Sequence, residues 1–427
     1  MPILDKPYIF TAIIILFLSS PLLAQPEAVQ VARWVERLGA ESFQQRNEAA
    51  EELQKLGPVG RQQLELAASA ADPEIRLRAE QLLRQLRLAD IWQPSRVQGK
   101  WQNGLMKNIY RTVAEQSGTP LQWGDAAGDF REGRVSLELD GTFWQCIDRL
   151  TVQGGNIVRP HYDAQLPGLV VVSSTSQLPP TAYSGPLRGQ VLSVRRTFNE
   201  ELDLTSNQND VTHNLQMQLQ LMWEDRLHLA SYRSQPKLVE AVTDSGERLS
   251  LSQPASQLWQ PVDRGLRLVK TNLRFSPPRQ PCTRLNRLQL AWDLIAVGEF
   301  QHLNLTDLTP DRTHRAAGLE LTINQLHRQG TLWELTITVA RDLATPEPHE
   351  VLFVENRISL TDSTQRPFHY RDQTAYLTDS GTRLSIRFSP PDAESTPAEV
   401  QFSYPTLRAQ REQNFTFENI PLPNSRP

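Results

Sequence analysis

The sequence predicts a multi-domain α+β protein: a short α-helical repeat, a small α/β module, then two tandem antiparallel β-sandwich domains. Three observations predict it. Helical segments near the N-terminus recur at a spacing of 30 residues, and later segments alternate strictly between apolar and polar residues. The pentapeptide RFSPP at Arg274–Pro278 also returns at Arg387–Pro391. A chain of 427 residues is too long for one ordinary core, and domain-size statistics favour about three or four units.

The first segment, MPILDKPYIFTAIIILFLSSPLLAQPEA, carries Lys6, an apolar run from Ile9 to Leu18, and small and turn residues ending at Ala24. The run is short for a bilayer span and suits the apolar region of a secretory signal. Residues 1–24 are therefore expected to be a signal peptide cleaved after Ala24, with an uncleaved N-terminal anchor as the alternative. Export places the chain in a periplasmic or extracellular compartment. No Cys follows the apolar run, so the chemistry of a lipid-anchored lipoprotein is missing. Charge is balanced, 44 Lys and Arg against 48 Asp and Glu for a formal net charge of -4. Nucleic-acid binding needs a concentrated basic face that displaces counterions from phosphates, and no basic run of that kind occurs.

From 27 to 90 the pattern is helical. Ser42 with Gln45 reads as a capping box, Gly57 with Pro58 closes that helix, and Asp72 with Pro73 opens the next. Arg46, Ala49 and Leu53 recur at Arg76, Ala79 and Leu83, so two helical hairpins are expected to stack, each too thin to bury its own stripe. This stretch, with its DPEIRLRAEQLL segment, resembles HEAT repeats; for that family the resemblance implies a protein-binding surface. The plainer alternative is four helices that only pack on a neighbouring domain.

Between 97 and 176 the reading is helix, strand, strand, helix, strand, strand. Leu105, Met106, Ile109, Tyr110 and Val113 form one stripe. Short strands follow at PLQW and RVSLEL. In GTFWQCIDRLTVQGG, Thr142 and Gln145 form a capping box while Phe143, Cys146, Ile147 and Leu150 share a face. NIVRP and GLVVVSS close the module. This pattern resembles the short N-terminal domain shared by secretins and TonB-dependent receptors, which implies a periplasmic contact module without catalytic residues. Neither a receptor barrel nor a secretin pore sequence follows.

From 184 the texture becomes strands separated by turn residues. LQMQLQL at Leu215–Leu221 and WELTITV at Trp333–Val339 each place alternate apolar residues on one face, as half-buried antiparallel strands do. They match at an offset of 118, as do the TDS triplets at Thr243 and Thr361; RFSPP follows at 113. LQLAW and VQFSY, and HLNLTDL and NFTFENI, match at 112. Upstream, Gly189, Leu192 and Val194 correspond to Gly318, Leu321 and Ile323 at 129. Preserved parity marks a duplication, because a one-residue slip would turn an apolar face outward. The copies are expected at 184–308 and 309–422, each of a size that suits an immunoglobulin-like sandwich. The Pro pair ending RFSPP should stop a strand at a sheet edge. A second match, TDSGERLS at Thr243 with TDSGTRLS at Thr378, is read as shared tight-turn chemistry.

No zincin, CxxC, phosphate-loop or nucleophile-elbow motif is present. The eight His stand at 161, 213, 228, 302, 314, 327, 349 and 369, with no helical metal-ligand spacing. TPEPHE reads as a solvated turn, and TSNQND lacks the glycine and spaced carboxylates of a calcium loop. Cys146 and Cys282 are expected to be buried free thiols rather than a disulfide. No catalytic, cofactor-binding or metal residue, and no cofactor, is assigned. The expected function is an exported non-enzymatic scaffold or protein-binding protein of the bacterial cell envelope, with another envelope or secreted protein as its partner. The alternatives are a carbohydrate-binding sandwich pair with Trp259 and Trp292 as platforms, Trp292 reading rather as core, and a hydrolase whose residues converge only in the fold.

Overall fold

The computed structural model describes residues 25–124, 133–160, 168–174, 177–203, 205, 208–256, 258–262, 267–316, 319–341, 358–378 and 381–423. The signal segment 1–24 and the TPEPHE turn lie outside the described residues, as do His161, His349, and Ser206 and Asn207 of TSNQND. The chain forms two compact units, Met1–Ala89 and Asp90–Pro427. Strand outweighs helix, and the sheets are mostly antiparallel.

The first unit holds α1 (Gln25–Arg37), α2 (Phe43–Lys55), α3 (Gly57–Ala67) and the start of α4 (Pro73–Ile91). The 30-residue recurrence is present as equivalent hairpins. Ala49 and Ala79 are both fully buried, and Leu53 and Leu83 occupy matching core positions. Arg46 donates from Nη1 to the Ala40 carbonyl at 2.7 Å, and Arg76 does the same to Ala70 at 3.1 Å. Each Arg thus ties off the carbonyl-rich end of the preceding helix. Asp72 caps α4 through the N–H groups of Glu74 and Ile75. Ser42 sits at the N-cap of α2 but its side chain makes no cap bond, so the expected capping box is not formed there.

The second unit begins with β1 (Arg96–Leu105), α5 (Met106–Ser117), β2 (Leu121–Trp123), β3 (Arg134–Thr142), α6 (Phe143–Gly154), β4 (Asn156–Pro160) and β5 (Leu169–Ser173). Strand β1, absent from the sequence reading, pairs antiparallel with β3. Its alternation is hidden because the Trp101 ring lies where a side chain at residue 99 would go; a β-carbon on Gly99 would collide with it. The helices pack their apolar stripes on these strands: Ile109, Val113, Phe143, Cys146, Ile147 and Leu150 are fully buried in one core.

The first β copy comprises β6 (Thr181–Ser184), β7 (Leu187–Asp203), β8 (Gln208–Trp223), β9 (His228–Arg233), β10 (Lys237–Thr243), β11 (Trp259–Pro261), β12 (Leu268–Phe275) and β13 (Arg284–Leu305). The second comprises β14 (Arg312–Ala316), β15 (Leu319–Gln329), β16 (Leu332–Arg341), β17 (Ile358–Asp362), β18 (His369–Thr378), β19 (Gly381–Ser389) and β20 (Pro397–Pro421). One sheet runs β12-β8-β7-β6 and its counterpart runs β18-β19-β16-β15-β14. Leu219 on β8 and Ile337 on β16 are both 2% exposed and sit at equivalent ladder positions, opposite Val191 and Thr271, and Ile323 and Leu384.

The ladders correct part of the sequence alignment. Val191, not Val194, is the counterpart of Ile323 in β15: it lies opposite Leu219 as Ile323 lies opposite Ile337, an offset of 132 instead of 129. The cause is a β-bulge that recurs in both copies, skipping Leu192 in one and Asn324 in the other. A bulge inserts one residue and breaks the period-two rule that alternation relies on. The TDS turns also shift by one. Thr243 donates to the Glu247 carbonyl as Asp362 does to Arg366, an offset of 119. The competing TDSG at Thr378 ends β18 and leads into β19, a separate hairpin.

β12 and β19 end within RFSPP, at Phe275 and at Ser389, and Phe275 and Phe388 are both fully buried. The expected edge position holds for β12 alone, because β18 pairs along β19. LQLAW with the HLNL of HLNLTDL, and VQFSY with NFTFENI, lie on continuous strands, β13 and β20. These two pair with each other across Leu285↔Ile420 to Leu305↔Val400, so the boundary at 308/309 separates the copies in sequence but not in hydrogen bonding. Pairs Leu288↔Phe417 and Leu305↔Val400 are images of one another at the 112 offset, the signature of a two-fold relation between the copies. The second copy buries Leu321, Ile337, Leu384 and Phe388 of one sheet against Leu360, Val400 and Phe402 of the other in one core. In the first copy Gly189 allows the same approach: a β-carbon there would lie 3.0 Å from Phe415 and 3.1 Å from Phe417.

Candidate functional site

A buried ion pair of the second unit lies where α6 meets β6 and β7. Asp148, on the flank of α6 next to its apolar stripe, is 4% exposed, and so is Arg188 at the start of β7. Arg188 donates to both Asp148 oxygens, from Nη2 at 2.5 Å and from Nε at 3.0 Å. The Tyr183 hydroxyl adds a third bond at 2.5 Å. The Arg188 guanidinium also lies over the Trp144 ring at 5.3 Å, and Trp144 Nε1 donates to the Pro186 carbonyl at 3.1 Å. Burial pushes the Asp148 carboxyl up, against the Arg188 charge and the bonds from Tyr183 and Arg188. The Tyr183 phenol is pushed up by burial and by the Asp148 charge beside it.

A second buried carboxylate has a similar role. Glu224, fully buried just past β8, accepts the Ser95 N–H at 3.0 and 3.2 Å and an Arg226 bond at 3.1 Å. Burial raises its carboxyl, opposed by those bonds. Both constellations therefore tie the α/β segment to the first β copy. Met222 and Leu268 of the β copy complete the α/β core in the same place.

Sequence reading missed this cluster. Trp144 and Asp148 are four residues apart on α6 and share a flank, which is the one local signal of a second buried side. Their partners lie about 40 residues on, beyond the reach of any local pattern.

The side chains singled out in the sequence take other places. Cys146 and Cys282 are buried and free, and burial pushes the Cys146 thiol up to about 11, away from the thiolate form that reacts. Histidines are dispersed: His213 stacks on Phe198, His302 bonds Ser403 at 2.8 Å, and His314 reaches the Asp307 carbonyl at 3.3 Å. Among the described residues no group of three His, Cys, Asp or Glu is placed to hold a metal ion. Trp292 is core, 3% exposed, with Nε1 bonded to the Arg233 carbonyl at 2.6 Å. Trp259 carries the Arg233 guanidinium 4.3 Å above its ring and packs on Ile295 and Val297.

A cleft of about 440 Å³ runs beside β10, lined by Lys237, Val239, Glu240, Arg248 and Leu249 among others. Lys237 is bound to Asp293 and Glu412 at 3.0 Å each, and Glu240 lies between Arg248 and Arg287. Its charges are thus neutralised in place. Among the described residues no helix is long and apolar enough to cross a membrane. Comparison with protein-family models, with curated proteins and with solved structures found no match.

Proposed function

We propose that this chain is an exported, non-enzymatic scaffold of the bacterial cell envelope that binds another envelope or secreted protein. The observation that carries the reading is how the buried charge is used. Asp148, Arg188 and Glu224 spend their hydrogen-bonding capacity joining one segment to the next, and the β13–β20 ladder joins the copies. A frame assembled this way holds surfaces in fixed relation, which is what a scaffold requires and what a flexible string of domains lacks.

The finer architecture fits this reading. The paired sheets around one core support two β-sandwiches related by duplication. The equivalent hairpins of the first unit support a HEAT-like repeat that presents a binding face. In the α/β segment, α6 packs beside β3 and β4, and the β4–β5 pair closes the module, an arrangement that supports the likeness to the periplasmic contact domain of secretins and receptors. Crosslinking in intact cells followed by affinity purification of the tagged chain tests the function. A specific envelope protein is expected to be recovered; recovery of none in a labelled, expressing strain would overturn the reading.

A further inference from the structure

We infer that the outer edge of β12 is a docking seat for an extended segment of the partner that carries a carboxylate opposite Arg274, added as an extra strand; the inference rests on the binding function proposed above. The molecule contains its own template for the occupant. In the second β copy, β18 lies along β19 from His369↔Ser389 to Thr378↔Gly381. The counterpart of β19 in the first copy, β12, is the last strand of its sheet. The two edges begin identically. Leu251 bridges Phe275 as Tyr370 pairs with Phe388, and Ser252 donates to the Arg274 carbonyl at 2.9 Å. There the first copy departs. The Gln235 side-chain amide donates to the Asn272 carbonyl at 3.0 Å, where a strand would supply a backbone N–H, and Gln235 Oε1 accepts from Ser256 at 2.9 Å. Among the described residues no strand continues along Asn272 to Leu268.

Charge selects the occupant. Arg387, the arginine of the second RFSPP, grips Asp372 of β18 with two bonds of 2.6 Å. Arg274, the arginine of the first, is exposed, and among the described residues nothing bonds or ion-pairs its guanidinium. Beside it on the same face, Gln216 replaces Glu334 as the cross-strand neighbour. Among the described residues next to Arg274 on this face the charges are Arg195 and Lys270, with Gln216, Gln218 and Gln220 between them. A carboxylate facing Arg274 therefore meets no repulsion and gains a two-pronged partner, while backbone pairing supplies the rest of the affinity. On β18 the next outer-face positions are Thr374 and Tyr376, the latter opposite Arg383, the counterpart of Lys270. The predicted segment thus reads acidic residue, three others, aromatic residue.

The probe is a synthetic peptide of residues 369–378, HYRDQTAYLT, added to the purified full chain. Hydrogen exchange is expected to slow at 268–274, and Arg274→Glu is expected to weaken binding about tenfold. A peptide carrying Asp372→Arg should recover the affinity on the Arg274→Glu chain, and Arg274→Gln should lie between. No added protection at β12, or equal binding to wild type and Arg274→Glu, overturns the inference. In the cellular crosslinking experiment, recovery of the same partner by wild type and Arg274→Glu would overturn the seat while leaving the binding function standing. Concentration-dependent dimerisation lost in Arg274→Glu would show a second copy in the seat and overturn its assignment to a partner.

Discussion

At the scale of single residues, Asp148 and Arg188 carry the largest stake. Two charges taken from water repay their desolvation only with good geometry and full hydrogen bonding, and Asp148 receives three bonds. Arg188→Met would strand the carboxylate beside Trp144. Urea unfolding is expected to show a loss of about 3–5 kcal/mol; a loss below about 1 kcal/mol would mean that water reaches the site. Adding Asp148→Asn should return part of the loss, because the unpaired charge goes with it. The pH dependence has a definite sign. The Asp148 carboxyl is raised in the folded state, so the folded chain holds that proton more tightly than the unfolded one. Its contribution is therefore full below the ordinary carboxylate range and is lost as pH rises towards the raised value. Asp362 has the opposite sign. Burial works against its charge, but bonds from the Arg366 and Thr364 N–H groups, the Thr364 hydroxyl and the Arg366 guanidinium hold it far below the usual range. That contribution is lost as pH falls.

At the scale of elements, the two copies make equivalent demands on equivalent positions. Leu219→Ala and Ile337→Ala should each cost about 2–5 kcal/mol by leaving a cavity, whereas Gln218→Ala, on the solvent side of β8, should stay within about 0.5 kcal/mol. Denaturant unfolding of the three variants checks this, and a cheap Leu219→Ala would break the equivalence. The alternation behind these positions is visible in the sequence, as are the α5 and α6 stripes and the end of β12 at RFSPP. What alternation cannot see is a break in its own period: the bulges at Leu192 and Asn324 displaced the upstream alignment by three residues. The turn contacts diverge in another way. In the first copy the Glu247 carboxylate accepts the Arg279 and Gln280 N–H groups. In the second, Arg366 takes the Glu247 position and binds Asp392, the Arg279 counterpart, at 2.6 Å. The attraction survives with its charges exchanged, so letter identity hides it.

At the scale of the whole second unit, the long β13–β20 ladder decides how the copies behave. Single-sequence reading placed a duplication there but not the pairing, because a strand pairs with a partner about 100 residues away or more for reasons that only the closed fold supplies. The two sheets that flank it, the α/β core completed by Met222 and Leu268, and the Asp148–Arg188 junction then form one continuous set of contacts. A scaffold with the strand seat proposed along β12 needs that continuity, since a seat is useful only if its walls stay put. Native-state hydrogen exchange tests this most directly. The central amides of β13 and β20, around Leu294 and Arg411, should open together with β8 and β16 in a single cooperative step of one free energy. Separate opening of the first and second copies, with the shared ladder exchanging ahead of both, would contradict the account.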